Sequence, residues 1–247
     1  EDIAQIQSAM VDKVLIIADG HHRYETSLNY QKEILQKTGD VKGDEPFNSV
    51  MMTLFSLDDP GLVILPTFRL VKGLDRLSEE SLKELLSSSF KISEEIWSDT
   101  SDRSTLTGIQ KKVSSEDHVF AAYLAKYGKF LIFHLKSEDV LETEMSTEKS
   151  KEWRRLDVAI LHSLIIDKLE ALSSESYSQE KNVSYIRNLE QGIKKVEDGE
   201  FQMILFLKPV SLPQIGEVVE NGELMPHKST DFFPKLKSGL LMNRLDE

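Results

Sequence analysis

Cysteine is absent from the 247 residues. That excludes disulfides, thiolate catalysis and cysteine-based zinc or iron–sulfur sites. It also fits a reducing compartment, so a cytoplasmic protein is expected. No apolar run approaches the roughly 20 residues that a spanning helix needs, so no membrane partner is expected. The opening EDIAQIQSAM is acidic and mildly amphipathic, which does not read as a signal peptide. A basic excess is missing too: 30 Lys and Arg stand against 42 Asp and Glu, a formal net charge of −12. Binding duplex DNA requires clustered cations on phosphates, so DNA is not an expected partner. A local basic pocket for a small phosphorylated ligand remains compatible with that overall acidity. The sequence has no GxSxG elbow, HExxH pair, EF-hand loop or GxGxxG turn. The six histidines include no helical pair spaced for zinc. What remains is an ordinary globular composition, 40% hydrophobic and 29% charged, in a length that suits one large domain or two modest ones.

The most informative stretch is residues 14–39, VLIIADGHHRYETSLNYQKEILQKTG. Five apolar residues, 14–18, read as a short buried strand. Asp19-Gly20 ends it, and a helical pattern follows with Tyr24, Leu28, Gln31 and Leu35 near one face. Gly39 is its expected C-terminal stop. A helix start aims free backbone N–H groups and the positive end of a dipole at one place, a natural anion site. Gly20 allows close backbone approach, and Arg23 supplies a planar fork of donors. His21 and His22 diverge by about 100° on a helix, so at most one faces a given atom. Asp19 can cap the helix, hold a metal or take a hydroxyl. The alternative is a capped helix start with Asp19 as N-cap and two merely polar histidines.

ADGHHRYETSL resembles the signature ADGHHRYETAL of the domain-of-unknown-function 1015 family. In this motif the family is also similar to the ParB/sulfiredoxin superfamily and its free serine kinases. There a comparable turn at a helix start cradles nucleotide phosphates. Further segments carry the first resemblance: LDVAILHSLI against LDVSILHSLI, PTFRLV against PTHRLV, and MPHKSTDFFPKL against MPQKSTYFYPKL. In the second of these Phe68 stands where the family usually has His, while Thr67 and Arg69 match. Family members carry a sizeable segment before the GHHRY signature, so the chain resembles the later part of a longer protein.

Along the chain, residues 1–13 suggest a short helix, 49–57 a second buried strand and 62–65 a third, around an Asp-Asp-Pro-Gly turn. Residues 73–148 change character. Ser78 with Glu79 and Glu80 opens a helix, FKISEEIW alternates as a strand, and Leu106, Ile109 and Val113 mark a helix. HVFAAYLA and KFLIFHL then read as a hairpin. Residues 153–172 read as the longest helix, with His162 in its apolar zone as a bonded core residue or a ligand. A strand at 183–186, a helix at 188–197, a strand in QMILFLKP and a helix capped by Ser211 follow. The expected fold is α/β or α+β: a mixed sheet core with flanking helices, built from 1–72 and 149–247 and interrupted by a smaller α+β subdomain at 73–148. That subdomain carries no cluster of reactive residues and is expected to be dispensable for ligand binding.

Lys228-Ser229-Thr230 sets a point charge beside two hydroxyls, a makeup suited to phosphate, without the glycine-rich approach of a P-loop. The expected ligand set is Gly20, Arg23, Thr67, Arg69, Lys228, Ser229 and Thr230, the segments around 20 and 228 sharing one site. The expected catalytic set is Asp19, His21 and His22, with Asp19 also the candidate for Mg²⁺. The resemblance implies a nucleoside di- or triphosphate with Mg²⁺ as cofactor, and phosphotransfer to a small hydroxyl-bearing molecule such as an amino acid. The rival is a non-enzymatic nucleotide-binding or protein-interaction module of a ParB-like kind.

Overall fold

The computed structural model describes residues 2–39, 43–97, 99, 103–173, 177–237 and 239–245. Residues 40–46, DVKGDEP, which the sequence reads as a polar loop, lie partly outside them. The chain divides into two compact units. One comprises Glu1–Val63 with Phe232–Glu247, the other Ile64–Asp231.

The second unit is built on a six-stranded sheet. Its strands are β1 (Phe68–Val71), β2 (Phe90–Ile96), β3 (Val119–Leu124), β4 (Lys129–Leu135), β5 (Val183–Ile186) and β6 (Met203–Phe206), in spatial order β2-β4-β3-β6-β1-β5. All of its pairings are antiparallel, so the expectation of α/β or α+β narrows to α+β, with helices against an antiparallel sheet. Strands from 73–148 thus hydrogen-bond in the same sheet as strands on either side of them in sequence. β3 and β4 form the expected hairpin, turned by Ala125–Tyr127 and by Gly128 at φ 58°.

Alternation along the strands places the core. Phe68 and Leu70 point to one face, where they join Tyr123, Phe130, Ile204 and Phe206. The helices Arg103–Ser115 and Leu189–Glu197 cover this face with Leu106, Ile109, Val113, Ile193 and Val196. Gly192 lets the second helix come close, since a Cβ there would lie 2.6 Å from the Ile204 side chain. The caps expected from sequence are present, Ser78 and Ser211 each completing a capping box; Asn188 adds another, accepting from the Gln191 N–H.

Residues 153–172 do not form one helix. Lys151–Arg154 ends before Leu156, whose ψ of 127° is extended; Asp157–Ile160 is one α turn, Leu161–Ile166 is π and Asp167–Leu172 is 3-10. Apolar spacing persists across a break of this kind, so periodicity could not reveal it. The break lets buried Asp157 meet His118 Nδ1 at 2.7 Å, which assigns His118 a structural role.

The first unit carries the larger corrections. Residues 14–18 are not a buried strand: they have no strand geometry, and Val14, Leu15 and Ile17 are exposed. Residues 49–57 likewise form no strand, with Met51, Met52, Leu54 and Phe55 exposed. The strand expected at 62–65 shrinks to Val63–Ile64. The physical reason is common to all three. An apolar run becomes a buried strand only when neighbours take its N–H and C=O groups and cover both faces. The described residues pair no strand with 14–18 or 49–57. The helices Asp2–Met10 and His21–Thr38 do form, the latter closed by Gly39 at φ 72°.

Candidate functional site

In the first unit, Gly20 itself is the N-cap of the 18-residue helix His21–Thr38, at φ 87°, and no side chain caps that end. Asp19 is therefore not the N-cap; its carboxylate lies 3.5 Å from the Lys235 ammonium. The first N–H groups of a helix have no intrahelical acceptor, so this end carries the donors and partial positive charge that anions favour. The Arg23 side chain folds back over the turn. A Cβ on Gly20 would lie 2.8 Å from Arg23 Nη2, a flexible side-chain end that can shift, so it is the left-handed φ that favours glycine here. His21 is exposed. The His22 side chain is 99% exposed, with Glu25 Oε2 3.4 Å from Nδ1. Among the described residues no group of three His, Asp or Glu is placed to hold a metal ion. Asp19 is thus a single carboxylate, the number Mg²⁺ uses when phosphates and water supply its other ligands.

In the second unit, the backbone carbonyls of Thr67 and Lys228 meet at one guanidinium, that of Arg69. Arg69 lies on β1, directly opposite Tyr185 of β5. Strand alternation turns it to the face away from Phe68. It is 2% exposed. Its Nη1 donates to the Thr67 carbonyl and its Nη2 to the Lys228 carbonyl at 2.9 Å. Its Cζ sits 5.5 Å from the centre of the Tyr185 ring. Among the described residues no carboxylate pairs with it, and its buried Nε has no partner. Burial holds its pKa down to about 10, with the Tyr185 charge opposing.

Lys228 contributes differently from the expectation. Its backbone takes the left-handed conformation at φ 56°, a position that costs an L-residue about 1 kcal/mol. Its carbonyl is the group held by Arg69, while its side chain is exposed. Ser229 and Thr230 are half-buried, and the Ser229 N–H donates to the Pro226 carbonyl at 3.2 Å. Phe68, the residue that replaces the family's usual His, packs edge-on against Phe206 at 5.3 Å. It belongs to the apolar face, so a side chain at 68 points away from the Arg69 guanidinium.

Sequence reasoning left His162 open and did not single out Tyr185, Tyr177 or Gln179. His162 stands in the π turn, where the Asp167 N–H donates to the His162 carbonyl. Its ring stacks on Tyr185, centroids 6.5 Å apart and 12° between planes. Its Nδ1 lies 2.8 Å from Gln179 Oε1, and Gln179 Nε2 donates to Asp167 Oδ1 at 2.6 Å. Desolvation first, then the Arg69 charge, pushes the His162 pKa down to about 4. The imidazole is therefore neutral near pH 7. Burial foremost also raises the Tyr177 and Tyr185 hydroxyls above their usual range. The signal that could have found this cluster is Arg69 in an otherwise apolar strand, because a buried cation demands polar company.

No curated protein matches the chain. Among solved structures it is similar to a conserved hypothetical protein from Pyrococcus furiosus, 17% identical with a TM-score of 0.42, over 87% of this chain and 68% of that one. A free serine kinase in complex with AMP is 15% identical with a TM-score of 0.41, over 87% of this chain and 66% of that one. A mutant free serine kinase in complex with ADP is 14% identical, with a TM-score of 0.41 and the same coverage. The chain thus spans about two thirds of the length of these proteins, and no function is carried across from them. The profile described as protein of unknown function (DUF1015) matches residues 1–159, more than half of the 247, and the chain belongs to that family.

Proposed function

We propose that this protein binds a phosphate-bearing ligand, a nucleotide foremost, and that the activity served is phosphotransfer to a small hydroxyl-bearing molecule. The observation that carries the reading is Arg69: a buried guanidinium with no carboxylate partner among the described residues and an unpartnered Nε. Leaving a cation desolvated and unpaired costs several kcal/mol, and a bound anion offsets that cost. With both Nη groups on backbone carbonyls, the Nε–H is the charged donor left to meet a phosphate oxygen. The uncapped helix start with Arg23 over Gly20 supports the same chemistry in the first unit. So does the likeness of that turn to the phosphate cradles of the ParB/sulfiredoxin superfamily. In this reading Gly20 and Arg23 are the ligand-binding residues of the first unit, and Thr67, Arg69, Lys228, Ser229 and Thr230 those of the second. Asp19, His21 and His22 are the candidate acid–base groups, and Asp19 is the residue to hold Mg²⁺, which would neutralise phosphate charge.

A second reading, binding without turnover, is favoured by one feature. The His22 side chain is almost wholly in water, whereas a general base works best when its orientation and pKa are set by its surroundings. A panel of nucleotides with and without Mg²⁺, followed by thermal shift, tests binding. A ligand at 100 times its Kd stabilises the fold by about 2.7 kcal/mol, and Arg69→Met is expected to abolish the shift. Unchanged melting with every nucleotide and with inorganic phosphate overturns both readings. Phosphate transfer to added hydroxyl compounds separates them.

A further inference from the structure

Three buried polar atoms have no partners among the described residues in this part of the second unit: Arg69 Nε, His162 Nε2 and Tyr177 Oη. Arg69 and His162 both lie against the Tyr185 ring, and Tyr177 stands two residues before Gln179, whose side chain bonds His162. Native proteins leave only a few such atoms unsatisfied per hundred residues, and an unmade buried hydrogen bond costs about 1–3 kcal/mol. Two against one ring, with a third two residues from a partner of His162, mark a gap in the bonding that something else completes.

The roles of the three atoms differ, and the surrounding bonds fix them. The Asp167 carboxylate can only accept, so the Gln179 amide nitrogen must face it. That turns the amide oxygen to His162, and an oxygen cannot donate. His162 Nδ1 therefore carries the proton and gives it to Gln179 Oε1. A neutral imidazole then has its lone pair on Nε2, inside the cluster. Arg69 Nε–H is a charged donor, Tyr177 Oη both donates and accepts, and His162 Nε2 only accepts. The relay Asp167–Gln179–His162 is costly to assemble for an imidazole that merely fills space. The π turn that carries His162 is a rare distortion that recurs at functional positions.

We propose that Arg69, Tyr177 and His162 form a binding site for a small hydroxyl-bearing oxyanion, its negative oxygen taken by Arg69 Nε–H and its hydroxyl directed at His162 Nε2. The proposal rests on the reading of Arg69 as an anion receptor and adds the group that reads the other end of the ligand. Gln179 and Asp167 act as positioning residues, holding the imidazole in the tautomer that accepts. A ligand lacking the hydroxyl leaves His162 Nε2 desolvated and unpaired, so it is discriminated against by more than its lost contact.

The experiment uses protein labelled with ¹⁵N at histidine and four probes. Glycolate and glycerol 3-phosphate carry the hydroxyl; acetate and methyl phosphate are their counterparts without it. Long-range ¹H–¹⁵N spectra should show His162 protonated at Nδ1, and the hydroxyl-bearing probes should move its Nε2 resonance. Those probes should bind at least about tenfold more tightly than their counterparts, and whichever of the two binds more tightly identifies a carboxylate or a phosphate site. Gln179→Leu should mix the two tautomers and erase most of that preference. Asp167→Asn, at an exposed position, does the same more weakly and serves if the first variant fails to fold. A His162 protonated at Nε2 overturns the proposal, as does equal affinity with and without the hydroxyl. Methyl phosphate bound as tightly as glycerol 3-phosphate, with Nε2 unmoved, removes the hydroxyl site while leaving Arg69 as an anion receptor. Failure of all four probes removes the anion receptor as well.

Discussion

Residues 14–18, VLIIA, and residues 203–206, MILF, are alike in composition and opposite in fate. The second run is strand β6, wholly buried, with β3 on one side and β1 on the other. The first forms no strand, and Val14 and Leu15 are among the more exposed apolar residues of the chain. The contrast extends to the two units. Sheet, aromatic cluster and capped helices give Ile64–Asp231 a core, whereas among the described residues of the other unit Phe232 alone is buried. Burial belongs to neighbours rather than to the run itself. A stretch of branched apolar residues states that it suits an interior, and says nothing about whether an interior is there.

The largest expected effect tests that contrast directly. Phe206→Ala removes a ring that touches Phe68 and Phe130 and should cost about 3–5 kcal/mol in denaturant unfolding. Ile17→Ala, at an exposed position, should stay within about 0.5 kcal/mol. Equal costs would mean that residues 14–18 are buried in solution after all, and the comparison would break.

A smaller effect sharpens the comparison in pH. The His162 pKa is depressed in the folded chain, from 6.5 to about 4. The unfolded state therefore binds the extra proton first as pH falls. The contribution is fully present above about pH 6.5 and is lost as pH drops toward 4. Its limiting slope is about 1.4 kcal/mol per pH unit. Arg69 and His227 push the imidazole toward neutrality, Asp167 opposes them, and the Gln179 bond works with Asp167. His162→Gln should flatten the stability profile between about pH 6.5 and 4.5, above the range where carboxylates such as Glu94, held down to about 2, titrate. An unchanged slope in that window would show that the imidazole is solvated.

Gly20→Ala comes next. It forces an L-residue to φ 87° against the Arg23 guanidinium and should cost about 1 kcal/mol. The loss should appear as fraying of the helix His21–Thr38 in amide exchange. Unaltered protection of its first turn would show that the turn adapts. Least of all, His22→Ala should leave the melting temperature where it was, given the exposure of that side chain. A changed nucleotide affinity in that variant would then report on the ligand alone.

Much of the second unit was legible from residue order. Ser78 and Ser211 with their partners three positions on, the alternation in FKISEEIW and the hairpin around Gly128 all state local geometry, and local geometry is what short spacing encodes. Arg69 and the stretch 228–230 were likewise nominated on chemistry. The role of Lys228 was not, because a carbonyl aimed by a left-handed backbone leaves no mark on residue type. The break at Leu156 was hidden because apolar spacing continues through it.

By itself the sequence determined that this chain has no thiol chemistry, and where several of its helices start, as at Gly20, Ser78 and Ser211. These follow from residue type and from contacts a few positions apart. Only the tertiary structure decided which apolar runs became strands, that Phe68 and Arg69 face opposite ways, and that His162 meets Tyr185 and Gln179. Those outcomes depend on residues up to more than a hundred positions apart, as when β1 takes its register from β5 and β6. Pairing and burial are properties of the partners a segment finds, and a single segment does not carry its partners within it.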